Sequence, residues 1–192
     1  MRVSSIATLL LAALPCGAVE SLLIESEGRL NDEPSMARAA DGSLYLAWNG
    51  FRDGVDALMV ARYQYAGGAF RKLGAWEALT GRGTYILNPK VVSTAEGAVV
   101  LYAKEQQRAW DIVALPCSTS GVGRPVTVVA DGAANVKPDA VWHKGTLWVT
   151  WESNRGGARR IMLASVKDGR ASRSARRCRP GSRRPMRRSC TI

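Results

Sequence analysis

Histidine and cysteine are scarce in this chain: one His and four Cys among 192 residues. The single histidine, His143, has no second histidine to share a metal and no Ser or Cys at a recognisable elbow, so a hydrolase triad has no support. Cys16, Cys117, Cys178 and Cys190 show no paired spacing, which argues against a zinc site or a disulfide framework. Gly67-Gly68 and Gly156-Gly157 read as hairpin turns, not as a phosphate loop opening a helix. No metal or cofactor is expected. Apolar runs are short throughout, and none is long enough for a transmembrane helix.

Acidic residues are also missing from one region. From Gly169 to Ile192 there are nine arginines and no Asp or Glu. The formal net charge of +11 therefore belongs mostly to that end, and the rest holds 18 basic and 16 acidic residues. The end is dominated by Arg, Ser, Pro and Cys and cannot bury enough apolar surface to fold, so residues 169–192 are expected to be a disordered tail. Nine arginines could neutralise phosphates. With no aromatic to stack on bases, however, nucleic acid is not the expected partner. The same composition resembles a GC-rich reading frame that has shifted, and the chain is expected to be truncated or frameshifted after Gly169.

The N-terminus reads as a signal peptide over residues 1–18. Arg2 supplies the positive charge, Ile6 to Leu14 the short apolar core, and Cys16-Gly17-Ala18 the small-residue cleavage site. Pro15 before Cys16 disfavours a lipoprotein. The mature chain is expected to be exported, to the periplasm or the extracellular space.

Between these ends the pattern has period two, and it recurs. The first unit, near 34–80, starts at Pro34 and has an Asp41-Gly42 turn. Leu44, Leu46 and Trp48 then alternate with other residues, and Arg52 falls in the following loop. The second, near 89–130, has Pro89, Glu96-Gly97, then Val99, Leu101 and Ala103, and Arg108. The third, near 138–168, has Pro138, Lys144-Gly145, then Leu147, Val149 and Trp151, and Arg155. Each continues into a short apolar strand, and the first two into a fourth strand. Leu22 to Ile24 reads as a single strand ahead of them. The segments before the prolines, such as RLNDE and ANVK, read as loops.

Three four-stranded antiparallel units at about 50-residue spacing predict an all-β partial β-propeller over residues 19–168. A β-sandwich is the main alternative, though it would not require the same turn, strand and arginine loop to recur in order. The recurring proline, turn, alternating strand and loop arginine resemble the repeats of bacterial secreted sialidase-like β-propellers, and are similar to the shorter repeats of TolB-type propellers. That resemblance implies the propeller fold and, as one activity, glycoside hydrolysis of sialidase type. The Asp-box of those enzymes has no counterpart here, so no catalytic residue carries over. Three blades do not close a ring, and a homodimer closing a six-bladed ring is one expected solution.

In such a fold the loops after the second strands share one end, so Arg52, Arg108 and Arg155 are candidate ligand residues, suited to carboxylate or sulfate groups. Their alternative role is structural, tying loop carbonyls together. Trp110, outside the alternating core face, is a candidate sugar platform. Asp53, Asp56, Glu105, Asp111 and Glu152 lie near the same end, and a glycosidase would need two carboxylates at a fixed separation. Tyr85 and Tyr102 are weaker candidates, with packing the expected role. The function these features suggest is an exported binding or scaffold module for glycans or proteins. The alternatives are a fragment of a sialidase-like hydrolase and anion or nucleic-acid binding through the tail.

Overall fold

The computed structural model describes residues 21–24, 28–78 and 84–172. The expected signal peptide, residues 1–18, and the expected tail beyond Ser172 lie outside the described residues. The described chain is built from strands and turns, and no helix among these residues is long and apolar enough to cross a membrane. The strands form three antiparallel sheets.

The first sheet has the order β1 (Leu30–Arg38), β2 (Leu44–Arg52), β3 (Val55–Ala66), β4 (Ala69–Glu77). The second runs β5 (Ile86–Thr94), β6 (Gly97–Gln106), β7 (Ala109–Ser118), β8 (Gly121–Val122), with β9 (Val126–Val129) also paired to β7. The third runs β10 (Asn135–His143), β11 (Thr146–Ser153), β12 (Arg160–Lys167), β13 (Arg170–Ala171). Each sheet is a meander, and the first strands β1, β5 and β10 pack side by side in sequence. Successive meanders whose first strands adjoin are blades radiating from one axis. The architecture is a partial β-propeller of three blades.

Blades meet face to face through apolar side chains. Tyr45, Ala47, Leu58 and Val60 of blade 1 bury against Val100, Tyr102, Val113 and Leu115 of blade 2. Leu101, Ala103, Ile112 and Ala114 of blade 2 bury against Val149, Trp151, Ala164 and Val166 of blade 3. A third, smaller cluster of Trp48, Ala61 and Tyr63 lies on the far face of blade 1, covered in part by Ile24. Leu22 to Ile24 is not a strand.

The structure corrects the phase of the second repeat. The turn there is Ala95-Glu96, and Gly97 opens β6 opposite Thr94. Counted from the prolines, Ser35 pairs with Ala47, Lys90 with Leu101 and Asp139 with Thr150. Leu44, Leu46 and Trp48 therefore correspond to Ala98, Val100 and Tyr102, and to Leu147, Val149 and Trp151. The residues expected for this face, Val99, Leu101 and Ala103, occupy the opposite face, toward blade 3.

The prolines do not end loops either. Pro34, Pro89 and Pro138 sit inside the first strand of their blades. The ladder shifts register there, between Asp32 and Ser35, Leu87 and Lys90, and Val136 and Asp139. A proline cannot donate to the ladder, so a bulge is where a strand tolerates one. At each bulge the residue before the proline has positive φ: Glu33 at 50°, Asn88 at 54° and Lys137 at 52°. Finally, Arg170–Ala171 forms a short fourth strand, and Ser172 N–H donates to Ser165 O at 2.7 Å. The third blade thus continues into residues expected to belong to the tail.

Candidate functional site

The three bulges are bonded to one another. The backbone N–H and Nδ2 of Asn88 donate to the Glu33 carboxylate at 2.5 and 2.9 Å. Asn88 Oδ1 in turn accepts the backbone N–H of Lys137 at 3.2 Å. The residue before each repeat proline is therefore linked to the next, across all three blades. Ser35 Oγ accepts the N–H of Val91 at 3.0 Å, and Lys90 faces Asp139 at 3.5 Å. The innermost strands are joined by polar contacts where the outer parts of the blades meet through apolar ones.

The row extends outward on blade 3. Lys137 Nζ reaches Glu152 Oε1 at 3.2 Å, and Glu152 Oε2 accepts from Arg159 at 3.3 Å. Lys137 spends one of three ammonium protons on this contact. Buried groups brace the same region between blades 1 and 2. Asp56 accepts the Ile86 N–H at 2.8 Å, and Asn49 Nδ2 donates to Ile86 O at 3.3 Å. Both side chains are buried, and their bonds leave Asp56 a structural tie.

The sequence candidates fall at one end of the blades, where second strands turn into third strands. Arg52 ends β2, half exposed, with its guanidinium 3.9 Å from Asp53. Arg155 lies in the β11–β12 loop, ion-paired with Asp131. These two occupy equivalent positions, four residues after Trp48 and Trp151. The equivalent in blade 2 is Gln106, and Arg108 stands two residues further on, in the exposed turn, with φ 67°. The loops correspond, but the third arginine does not share the position of the other two.

Trp110 is half-buried against the blade 2–blade 3 core, and its backbone N–H donates to Ala133 O at 3.1 Å. Trp76, also outside the alternating face, packs on the blade 1–blade 2 core. Tyr85 is exposed at this end. Tyr102 is fully buried, and desolvation raises its pKa. Burial also raises the carboxyl pKa of Asp111, against the pull of Lys104. His143 is exposed at the other end of blade 3, beside the Lys144-Gly145 turn. Among the described residues no group of three or more His, Cys, Asp or Glu could hold a metal.

Glu33, Asn88 and Lys137 were not among the sequence candidates. Their common signal is position: each is a polar residue directly before a repeat proline.

No family model matches the chain, and no curated protein matches it. Among solved structures it is similar to native arabinanase Arb43A of Bacillus subtilis, at 15% identity and a TM-score of 0.43. The match covers 73% of this chain and 50% of that one, so the chain spans about half the length of the arabinanase.

Proposed function

We propose that the chain is an exported, non-catalytic binding module whose ligand sits on the polar row at the inner ends of the blades. The observation that carries this reading is the bonded series Glu33, Asn88, Lys137 and Glu152. A row fixed by its own hydrogen bonds is preorganised, and a ligand met by it loses less to ordering side chains. Carboxylate, amide and ammonium groups in alternation suit a hydroxyl-rich ligand, since each hydroxyl both donates and accepts. A glycan is therefore the ligand class we assign, with a protein surface second. Arg52, Arg108 and Arg155, at the end of the blades where second strands turn into third strands, would favour acidic substituents. Export rests on the N-terminal apolar run.

The sialidase-type hydrolase needs a carboxylate pair across the scissile bond. Glu33 is held by Asn88, and Glu152 by Lys137 and Arg159. That arrangement supports holding a ligand over transferring a proton. The test is an array of neutral, sialylated and uronic-acid oligosaccharides. The expected result is binding that weakens in Lys137→Asn, whose side chain tolerates positive φ. No binding to any glycan, or binding indifferent to Lys137, would overturn the glycan assignment.

A further inference from the structure

Neighbouring blades also meet near the hairpins that join first strands to second strands, away from the polar row. The two corners formed there are filled differently. In the fold register Tyr45 and Val99 are equivalent, as are Val60 and Ala114, and Arg62 and Pro116. Between blades 1 and 2 the chain closes the corner with its own side chains. Tyr45 is buried, the Arg62 guanidinium lies over its ring at 5.7 Å, and Arg62 pairs with Asp41 at 2.6 Å. A cavity of about 120 Å³ is left.

Between blades 2 and 3 all three positions carry smaller side chains, and a cleft of about 360 Å³ is left. That volume is in the range of small-molecule sites, about 300–1,000 Å³. Its walls are apolar: Val99, Ala114 and Pro116 on blade 2, and Trp142, Leu147 and Val166 on blade 3. Its charged lining residues are Glu96 and Asp168, each in a hairpin turn. Neither forms an ion pair among the described residues. The cleft therefore has carboxylates like its neighbour, and lacks the phenol ring and the guanidinium that close the other corner.

We propose that this cleft binds an organic cation with a flat apolar body, such as an aryl amidine or aryl amine. The ligand supplies what Tyr45 and Arg62 supply between blades 1 and 2. Its body covers the apolar walls, its charge meets Glu96 and Asp168, and Trp142 provides the aromatic wall that a cation favours. This second site goes beyond the glycan reading and does not depend on it.

The test is calorimetric titration of benzamidine, with benzoate as the anionic counterpart, into the full chain and into Glu96→Gln and Val99→Tyr. Circular dichroism confirms that each variant folds. The wild type should bind benzamidine saturably and benzoate not at all. Glu96→Gln should weaken benzamidine about tenfold, through loss of one charged hydrogen bond. Val99→Tyr should abolish binding, because it fills the corner as Tyr45 does. Glu96 is exposed in its turn, so that variant reads the site even where the tyrosine is not accommodated. No saturable benzamidine binding, benzoate binding of equal strength, or unchanged binding in a folded Glu96→Gln or Val99→Tyr variant would overturn the proposal.

Discussion

Asn88 grips Glu33 of the preceding blade with both its backbone N–H and its side-chain amide, while its own oxygen receives the N–H of Lys137 on the following blade. One side chain in a left-handed backbone conformation thus couples three sheets. Asn is well suited to the position, being among the few non-glycine residues that visit positive φ routinely.

Replacing Asn88 separates its two contributions. Asn88→Gly keeps the backbone conformation and loses the side-chain bonds, and should cost about 1–3 kcal/mol. Asn88→Ala loses the bonds and adds left-handed strain of about 1–2 kcal/mol. Urea unfolding checks both, with midpoints in the order wild type, glycine, alanine. A glycine variant as stable as wild type would show that the inter-blade bonds contribute nothing.

Trp151 donates its indole N–H to Asn135 Oδ1 at 3.0 Å, inside the protein. Trp48 makes the same bond to Asn31 at the equivalent place in blade 1, where Asn31 is exposed. Asn135→Leu leaves a buried donor without a partner and should cost about 1–3 kcal/mol. Asn31→Ala, where water can substitute, should cost under about 1 kcal/mol. Equal losses in thermal unfolding would contradict this. Blade 2 lacks both partners together, with Tyr102 and Ile86 in their places.

Asp41 ties the first hairpin to β3 through its carboxylate. Its carboxylate accepts the Ser43 hydroxyl at 2.6 Å and the Ser43 N–H at 2.9 Å, and pairs with Arg62 at 2.6 Å. These bonds, the Ser43 hydroxyl first, lower its pKa from 3.8 to about 2. A carboxylate with a depressed folded pKa adds stability above its unfolded value and loses it as pH falls. The loss should run from pH about 4 to about 2. Asp41→Asn should flatten stability against pH in that window, as read by urea midpoints. An unchanged slope would contradict the assignment.

Cys117 is a buried free cysteine. Burial raises its thiol pKa from 9.0 to about 12. The thiolate is the reactive form, so native protein should resist iodoacetamide at pH 8.5, and urea should expose the site. Mass spectrometry of the Cys117 peptide reads this directly. Rapid labelling of the native chain would mean that blades 1 and 2 separate readily there.

How much of this was legible in the sequence depends on which face of a sheet is buried. Alternation, prolines and glycine turns were enough to place three sheets. They could not phase the second one, because both of its faces are core. Val100 and Tyr102 bury toward blade 1 as fully as Leu101 and Ala103 do toward blade 3. With no polar face to contrast, period two gives strand but not direction. Gly97 added to this, since it opens the strand at φ 145° and does not close the turn. The bulges were hidden for another reason. Proline reads as a strand terminator unless a register shift accommodates it, and that shift is visible only in the pairing. Glu33, Asn88 and Lys137 therefore look like loop residues in the sequence, although they link the blades. The arginines, prominent as a repeat, mark the ends of the blades more than a shared position.

A calorimetric titration tests directly whether the polar row is a binding face. The ligand would be the strongest oligosaccharide from the array, titrated into wild type and into Lys137→Asn. The predicted result is a dissociation constant raised at least about tenfold in the variant, the loss of one charged hydrogen bond, with little change in unfolding midpoint. An unchanged dissociation constant in a folded Lys137→Asn variant would contradict it.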